Sequence, residues 1–467
     1  MSDARAEVVI CGAGIAGIAA AHELAVRRGM DGVVLVDERP PLTLTSDKST
    51  ECYRNWWPGP GDAMVRLMNR SIDLLEELAG ESDNAFAMNR RGYAFLTARP
   101  EQARRFAEGA RETSALGAGP LRVHRGAPGD PHYPPFVAEG LAPAALALDG
   151  ADLILDRDRI RRLFPFAAED TVAVLNPRRC GWLSAQQLGM LLLERALERG
   201  ARLVRGRVAG VELADGRVAA VRLEPGGELE TIATGGFVDA AGPHLAEVAR
   251  LLGVELPVFN ELHGKVSFTD HLGLVPRDLP LMSWSDPVRL MWSEEERRDL
   301  AADPELAWLL ADLPAGVHFR PEGGEGSRSL LLLWTYHLEP CPPVQPPRFD
   351  PLYPEVVLRG IARMIPAFAT YLQGLERSRR PYVDGGYYCK TRENRFLASP
   401  LPVPGAFVLG ALSGYGIMAA LGAAELLGAH LTGETPPAYA PAFRLERYAD
   451  PAYQQLLAQM GPDAGQL

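Results

Sequence analysis

The chain has 467 residues, 47% hydrophobic and only 7% aromatic, enough to bury two domains or one interleaved pair. Forty-eight basic against fifty-nine acidic residues give a net charge of -11, which repels phosphate backbones and anionic lipid and argues against a nucleic-acid partner. Cys11, Cys52, Cys180, Cys341 and Cys389 form no C-x-x-C pair and have no histidines at metal-ligand spacing, so they read as reduced thiols of a cytoplasmic protein without a metal.

The apolar stretch 8–21 has the length of a signal-peptide core, but its acidic n-region and three ordered glycines argue against export. No other stretch approaches the roughly 20 apolar residues of a membrane span. Residues 8–11 form a short apolar run, followed by a glycine turn, an alanine-rich helical pattern to about Arg28 and a second buried strand at 33–36. Strand, helix and strand in this order open a doubly wound sheet. A long polar segment, 43–61, precedes a helix predicted over 63–78, and loops of that length are usually functional. Residues 98–150 carry poor periodicity and many Gly and Pro, which predicts few strong elements there.

Ser184-x-x-Gln187 predicts a helix that stops at Gly200, with a strand at 202–204 and a hairpin turn at Asp215-Gly216. Residues 236–242 read as a strand ending in a tight glycine turn, so the nucleotide-binding architecture resumes late and the domains are interleaved. Between 255 and 384 the chain is rich in Pro, Trp and charge, with a buried strand at 330–334 and a crossover loop at 340–351. A last strand at 406–412 leads through Gly414-Tyr415-Gly416 into a helix over 417–430, and the tail beyond Pro436 is expected to wrap the surface.

Gly12-Ala13-Gly14-Ile15-Ala16-Gly17 is a G-x-G-x-x-G turn between strand and helix, with Asp37 twenty positions after Gly17. Gly12 permits the tight turn, Gly14 the approach of a pyrophosphate and Gly17 the packing of helix on strand, while the helix N-terminus offers unpaired N–H groups. Asp37 is expected to accept ribose hydroxyls, and Asp37 with Glu38 would repel a ribose phosphate, which disfavours NADP. Gly414-x-Gly416-x-x-Ala419 is followed by only one helix and a tail, so it completes no second nucleotide fold.

Taken together, the segments 8–17, 35–37, 46–54, 238–242 and 410–418 resemble the D-amino-acid oxidase superfamily, in particular its glycine oxidase and sarcosine oxidase branch. Thr391-Arg392-Glu393-Asn394, followed by the strand at 407–410 and Ser413-Gly414-Tyr415-Gly416-Ile417-Met418, is the more specific part of the likeness. The resemblance implies an α/β fold of mixed character. A Rossmann-like FAD-binding domain (1–90, 165–255, 385–467) would be interleaved with an antiparallel-sheet substrate domain (91–164, 256–384). Further cofactor contacts implied are Ser46, Lys48, Ser49, Val208, Ala241, Gly242, Gly410, Gly414, Tyr415, Gly416, Ile417 and Met418. The turn at Gly414 would face the flavin N1 and C2 oxygen, where N–H groups and a helix dipole suit a delocalised anion.

Covalent relatives attach flavin through a histidine in the stretch matching 46–50 or a cysteine at the position matching Gly386. Neither residue is present, so FAD is expected to be noncovalent and Cys389 packed rather than linked. The implied reaction moves a hydride from a carbon bearing nitrogen to flavin N5 and leaves an imine. Arg54 matches an arginine that grips the substrate carboxylate in sarcosine-type relatives, but Met418 stands where their second grip, a lysine, would be. Arg320 and Lys265 are candidate replacement cations, and Trp334, Tyr336, Tyr388 and Tyr415 are candidate pocket walls. Oxidases of the branch keep a lysine near the flavin, and the strand at 330–334 contains none, which leaves dehydrogenase behaviour open. Two alternatives stay open: oxidation of a 2-hydroxyacid with His263 as base, and a flavoprotein subunit of a larger complex. An aromatic hydroxylase is disfavoured because Gly61-Asp62-Ala63 follows the second strand too closely.

Overall fold

The computed structural model describes residues 4–136, 141, 146–224, 230–324, 326–372 and 381–460. Two large sheets organise them. The first has six strands in the order Arg202–Arg205, Val33–Asp37, Val8–Cys11, Gly236–Asp239, Ala406–Gly410, Leu397–Pro400. All pairs are parallel except the last. Its central strands are covered on both faces, which is why Val-Val-Ile-Cys and Val-Val-Leu-Val-Asp read as continuous apolar runs rather than alternating ones. Helix Ile15–His22 is wholly buried and rich in Ala and Gly, small enough to lie between its neighbours, helices Ala185–Glu198 and Gly416–Thr432. It ends in a π-helical turn, Glu23–Arg27, and Ala63–Glu81 packs outside Gly416–Thr432.

The second sheet has nine strands in the order Tyr382–Lys390, Phe259–Thr269, Ser329–Leu333, His318–Glu322, Leu281–Trp284, Tyr93–Thr97, Ala173–Pro177, Ala151–Ile154, Leu121–His124. It is antiparallel except for Leu281–Trp284 with Tyr93–Thr97 and Leu121–His124 with Ala151–Ile154. Alternation along these strands divides the side chains between two cores. Val266, Met282, Trp284, Phe319, Leu330 and Leu332 face away, against helix Tyr353–Met364. Tyr93, Phe95, Leu175 and Leu281 join the core of the first layer. Register fixes one row on that inner face: Lys265 opposite Leu333, Leu333 opposite His318, His318 opposite Ser283, Ser283 opposite Phe95.

The hairpin turns at Asp215-Gly216, both with positive φ (50° and 73°), between strands Val208–Ala214 and Arg217–Leu223. Ser184 caps its helix by accepting from the Gln187 N–H.

Three expectations need correction. Residues 100–113 form a helix, Pro100–Thr113, whose inward residues are Phe106 and Ala110; so few and small apolar positions in a polar stretch hid its period. The borders at 165 and 385 fall too early, because Ala173–Pro177 and Tyr382–Lys390 are strands of the nine-stranded sheet. The tail does not merely wrap: Phe443 is fully buried and stacked on Phe396 at 4.3 Å. Its residues beyond 460 lie outside the described residues.

Candidate active site

An open cleft of about 870 Å³ runs along the C-terminal ends of the parallel strands. Gly12, Gly14, Ile15, Ala16 and Asp37 line one part of it. Gly12 has φ +113°, and a Cβ there would sit 2.4 Å from the Ala240 carbonyl oxygen. A Cβ on Gly17 would lie 1.9 Å from the Gly12 carbonyl oxygen, so Gly17 serves strand–helix packing rather than the cleft wall. Asp37 braces the turn: Oδ2 accepts from the Ala13 N–H at 2.7 Å and Oδ1 from the Arg39 N–H at 2.8 Å. Ser46 Oγ accepts from the Ile15 N–H at 2.9 Å. Ala13 is buried behind the turn. Glu38 is outside the cleft wall and pairs with Arg39 at 3.6 Å.

Ser46, Ser49, Ala241, Gly242, Gly410, Gly414, Gly416 and Ile417 line the rest, together with Tyr387, Tyr388 and Cys389. Ala411 and Ser413 hold positive φ (58° and 49°) at the end of the last parallel strand, an uncommon conformation for non-glycine residues, which aims this turn into the cleft. A Cβ on Gly414 would come 2.7 Å from the Tyr388 ring. Helix Gly416–Thr432 begins here and presents its N-terminal end to the cleft.

Besides Ala13, Gly17 and Glu38, four further expected cofactor contacts lie off the cleft wall. Lys48 is outside the wall, drawn to Asp384 at 2.8 Å and Asp47 at 3.2 Å. Val208 packs with Val36 in the core behind the sheet. Met418 turns into the helix core. Tyr415 is buried, donates to the Asn394 carbonyl at 2.7 Å and meets Trp57 edge-on at 5.2 Å.

On the sheet side, the candidate cations separate by their partners. Arg320 is fully buried and spent on Glu322, the Thr50 carbonyl and, at 3.7 Å, Glu51. Lys265 donates to the Asp47 carbonyl at 2.8 Å. Arg54 differs: among the described residues no carboxylate lies within 4 Å of it, and its Nε has no hydrogen-bond partner. Its guanidinium lies 4.5 Å from the Trp57 ring centre and 5.9 Å from that of Tyr93. Burial lowers its pKa, with the Tyr93 hydroxyl opposing.

His263 stacks on Tyr388 at 3.9 Å, with Nε2 on Glu261 at 3.1 Å and Nδ1 on Thr335 at 2.7 Å, so both ring nitrogens are occupied. Tyr336 and Trp334 belong to the core on the far face, since alternation turns them away from Leu333. Sequence reasoning passed over His318, two residues before Arg320 on the same strand face. Its Nδ1 meets the Gly316 carbonyl at 2.8 Å, and burial, with Arg54 and His263 nearby, lowers its pKa to about 4. The signal was the i, i+2 relation to Arg320 within the strand.

A parallel sheet with a glycine turn at one helix N-terminus, a bracing acid on the next strand and a second helix N-terminus opposite defines a dinucleotide-binding oxidoreductase. The bare backbone at Gly14, where a Cβ would meet only Ser46 Oγ at 3.2 Å, leaves the cleft open to an organic cofactor. The family model described as FAD dependent oxidoreductase (DAO) matches residues 7–430, so the chain belongs to the DAO family of FAD-dependent oxidoreductases.

Solved structures with the same fold include L-proline dehydrogenase from P. horikoshii, at 17% identity and a TM-score of 0.70, covering 96% of this chain and 98% of that one. Glycine oxidase from Geobacillus kaustophilus has 16% identity and a TM-score of 0.70, with 95% and 99% covered. Iminodiacetate oxidase from Chelativorans sp. BNC1 has 18% identity and a TM-score of 0.66, with 94% and 98% covered. No curated protein sequence matches. Among the described residues no helix is long and apolar enough to cross a membrane.

Proposed function

We propose that this enzyme oxidises the C–N bond of an α-amino acid, and the observation that carries the reading is the Arg54 guanidinium, which has an unpartnered Nε and, among the described residues, no carboxylate within 4 Å. A half-buried cation with a buried, unpartnered Nε and no carboxylate of its own is costly unless something else supplies the negative charge, and a substrate carboxylate does so with charge-assisted hydrogen bonds. Arg54 lies between Trp57, which touches Tyr415 beside the cleft, and Tyr93 on the sheet. The substrate would therefore sit between the sheet and the cleft, with aromatic walls that exclude water.

Gly12 to Ala16, Asp37, Ser46, Ser49, Ala241, Gly242 and the 410–417 turn would hold FAD, which supplies the two-electron acceptor. Attachment is noncovalent in this reading: Gly386 has no side chain to link, and burial, then Asp239, pushes the Cys389 thiol up to about 12, far from a thiolate. The chain's own residues orient the substrate and keep the site dry. The 2-hydroxyacid alternative loses the base first assigned to it, because both His263 nitrogens are engaged.

The test is anaerobic mixing of the yellow holoprotein with α-amino acids, amines lacking a carboxylate and 2-hydroxyacids, following flavin absorbance. Bleaching by α-amino acids alone supports the proposal; bleaching by 2-hydroxyacids alone overturns it. Acid precipitation should release all the flavin into the supernatant.

A further inference from the structure

The His318 imidazole is held in one tautomer with its working nitrogen free. Strand register places His318 on the inner face, between Leu333 and Ser283. The Gly316 carbonyl, 2.8 Å from Nδ1, can only accept, so Nδ1 carries the proton and Nε2 carries a lone pair. Among the described residues no hydrogen-bond partner meets Nε2, and the side chain keeps partial exposure, as Arg54 does. The charged and titratable groups about it are the Arg54 cation on strand Cys52–Arg54 and His263 on Phe259–Thr269; Arg320 follows two residues on. The flanking strands present Leu331, Leu333, Leu281 and Ser283, none of which titrates.

Resting on the reading of Arg54 above, we infer that His318 is a direct substrate contact whose Nε2 accepts a hydrogen bond from the substrate's amino nitrogen while Arg54 holds the carboxylate. The pair then selects α-amino acids whose nitrogen bears at least one hydrogen, and holds them as the free amine. Two features favour the neutral nitrogen. The Arg54 cation opposes a second positive charge beside it, and an enclosed neutral imidazole accepts one N–H without offering a counter-charge. The zwitterion loses its extra ammonium proton to solvent on binding. FAD, when bound, would supply the acceptor for the hydrogen and its electron pair as the C–H bond breaks, while the nitrogen lone pair would close the C=N bond. The N–H held by His318 stays on nitrogen through this step, so the contact orients the lone pair rather than removing a proton.

The protein has nine histidines, so the His318 ring signals can be assigned by their loss in His318→Gln. In flavin-free protein, nitrogen–proton correlation NMR should show the Nδ1-protonated form at neutral pH; an Nε2-protonated ring would overturn the inference. In holoprotein, His318→Leu should lower the second-order rate of anaerobic bleaching by an α-amino acid about 10- to 100-fold, the loss of one buried hydrogen bond. Binding of a simple carboxylic acid, read as a flavin spectral shift, should change less than about twofold. His318→Gln places an amide oxygen near the Nε2 position and should recover part of the loss. The N,N-dimethyl form of the same amino acid should bleach the wild-type protein slowly and His318→Leu no more slowly still. Equal rates for the parent and dimethyl substrates in wild type, or for wild type and His318→Leu with the parent, would refute the contact. Failure of every amino acid to bleach the wild type would instead refute the reading of the function.

Discussion

Glu393 and Arg447, 54 residues apart in sequence, form a buried ion pair at 2.9 Å that ties the C-terminal segment to the end of the large sheet's edge strand. Tyr448 and Tyr453 also donate to the same carboxylate oxygen. Breaking such a pair on one side leaves a buried charge, so Arg447→Met should cost about 3–5 kcal/mol. A urea midpoint that falls with an unchanged slope checks this, and the double variant with Glu393→Gln should recover much of the loss.

The same carboxylate sets an acid limit. Burial raises its pKa, but Arg447 and the tyrosine hydroxyls outweigh burial and hold it below the usual value. Its contribution is therefore complete above the unfolded-state pKa of about 4.3 and is lost as pH falls through the lower folded value. Wild type should lose stability below about pH 4 more steeply than Glu393→Gln does. Parallel acid-unfolding curves would contradict this.

Asp239 is the opposite case. It ends a central parallel strand, wholly buried, with Oδ2 unpartnered and only the Ala241 N–H, at 3.2 Å, on Oδ1. Burial raises its pKa well above the usual range despite that one bond. The folded state keeps a proton that the unfolded chain has lost, so stability falls by about 1.4 kcal/mol per pH unit from about pH 3.9 until the folded carboxyl ionises too. Asp239→Asn should remove that slope and be the more stable protein at pH 8, with the gap closing toward pH 4. Denaturant midpoints of both proteins at three pH values decide it.

Gly17→Ala should yield protein without visible absorbance, because the methyl would overlap the Gly12 carbonyl oxygen and no flexible side chain is there to move. Gly14→Ala meets only Ser46 Oγ at 3.2 Å and should retain flavin with weaker affinity. The ratio of flavin to protein absorbance after purification separates the two.

Reduced holoprotein should recover slowly in air and faster with a soluble quinone. The inner face of the large sheet presents Leu331 and Leu333, and Lys265, opposite Leu333 on that face, is committed to the Asp47 carbonyl. Rapid recovery in air, with peroxide formed, would argue for an oxidase instead.

The parallel sheet was readable because its signals are local: buried strands four or five residues long, glycines at fixed spacing and Asp37 at the next strand's end. The substrate side was not, because Arg54, Arg320, Lys48 and Lys265 are equivalent as letters. Partnership alone distinguishes them, and Arg320 owes its occupation to Glu322 and to the Thr50 carbonyl, 270 residues away. His318 escaped notice for the same reason, since a free Nε2 is a property of strand register and of the Gly316 carbonyl. Helix Pro100–Thr113 has no such local signal, because Phe106 is the one large apolar residue on an inward face otherwise carried by small residues.

The cleft draws its walls from residues scattered over five stretches of the chain, of which the first begins at Gly12 and the last ends at Ile417. A nascent chain that has left the ribosome up to residue 400 has its phosphate turn but lacks the Gly410 to Ile417 wall. Cofactor capture through the proposed contacts would therefore come late in biosynthesis. Until then the apolar helix bed awaiting Gly416–Thr432 is open to chaperones and proteases, which makes flavin supply a determinant of how much of the protein accumulates.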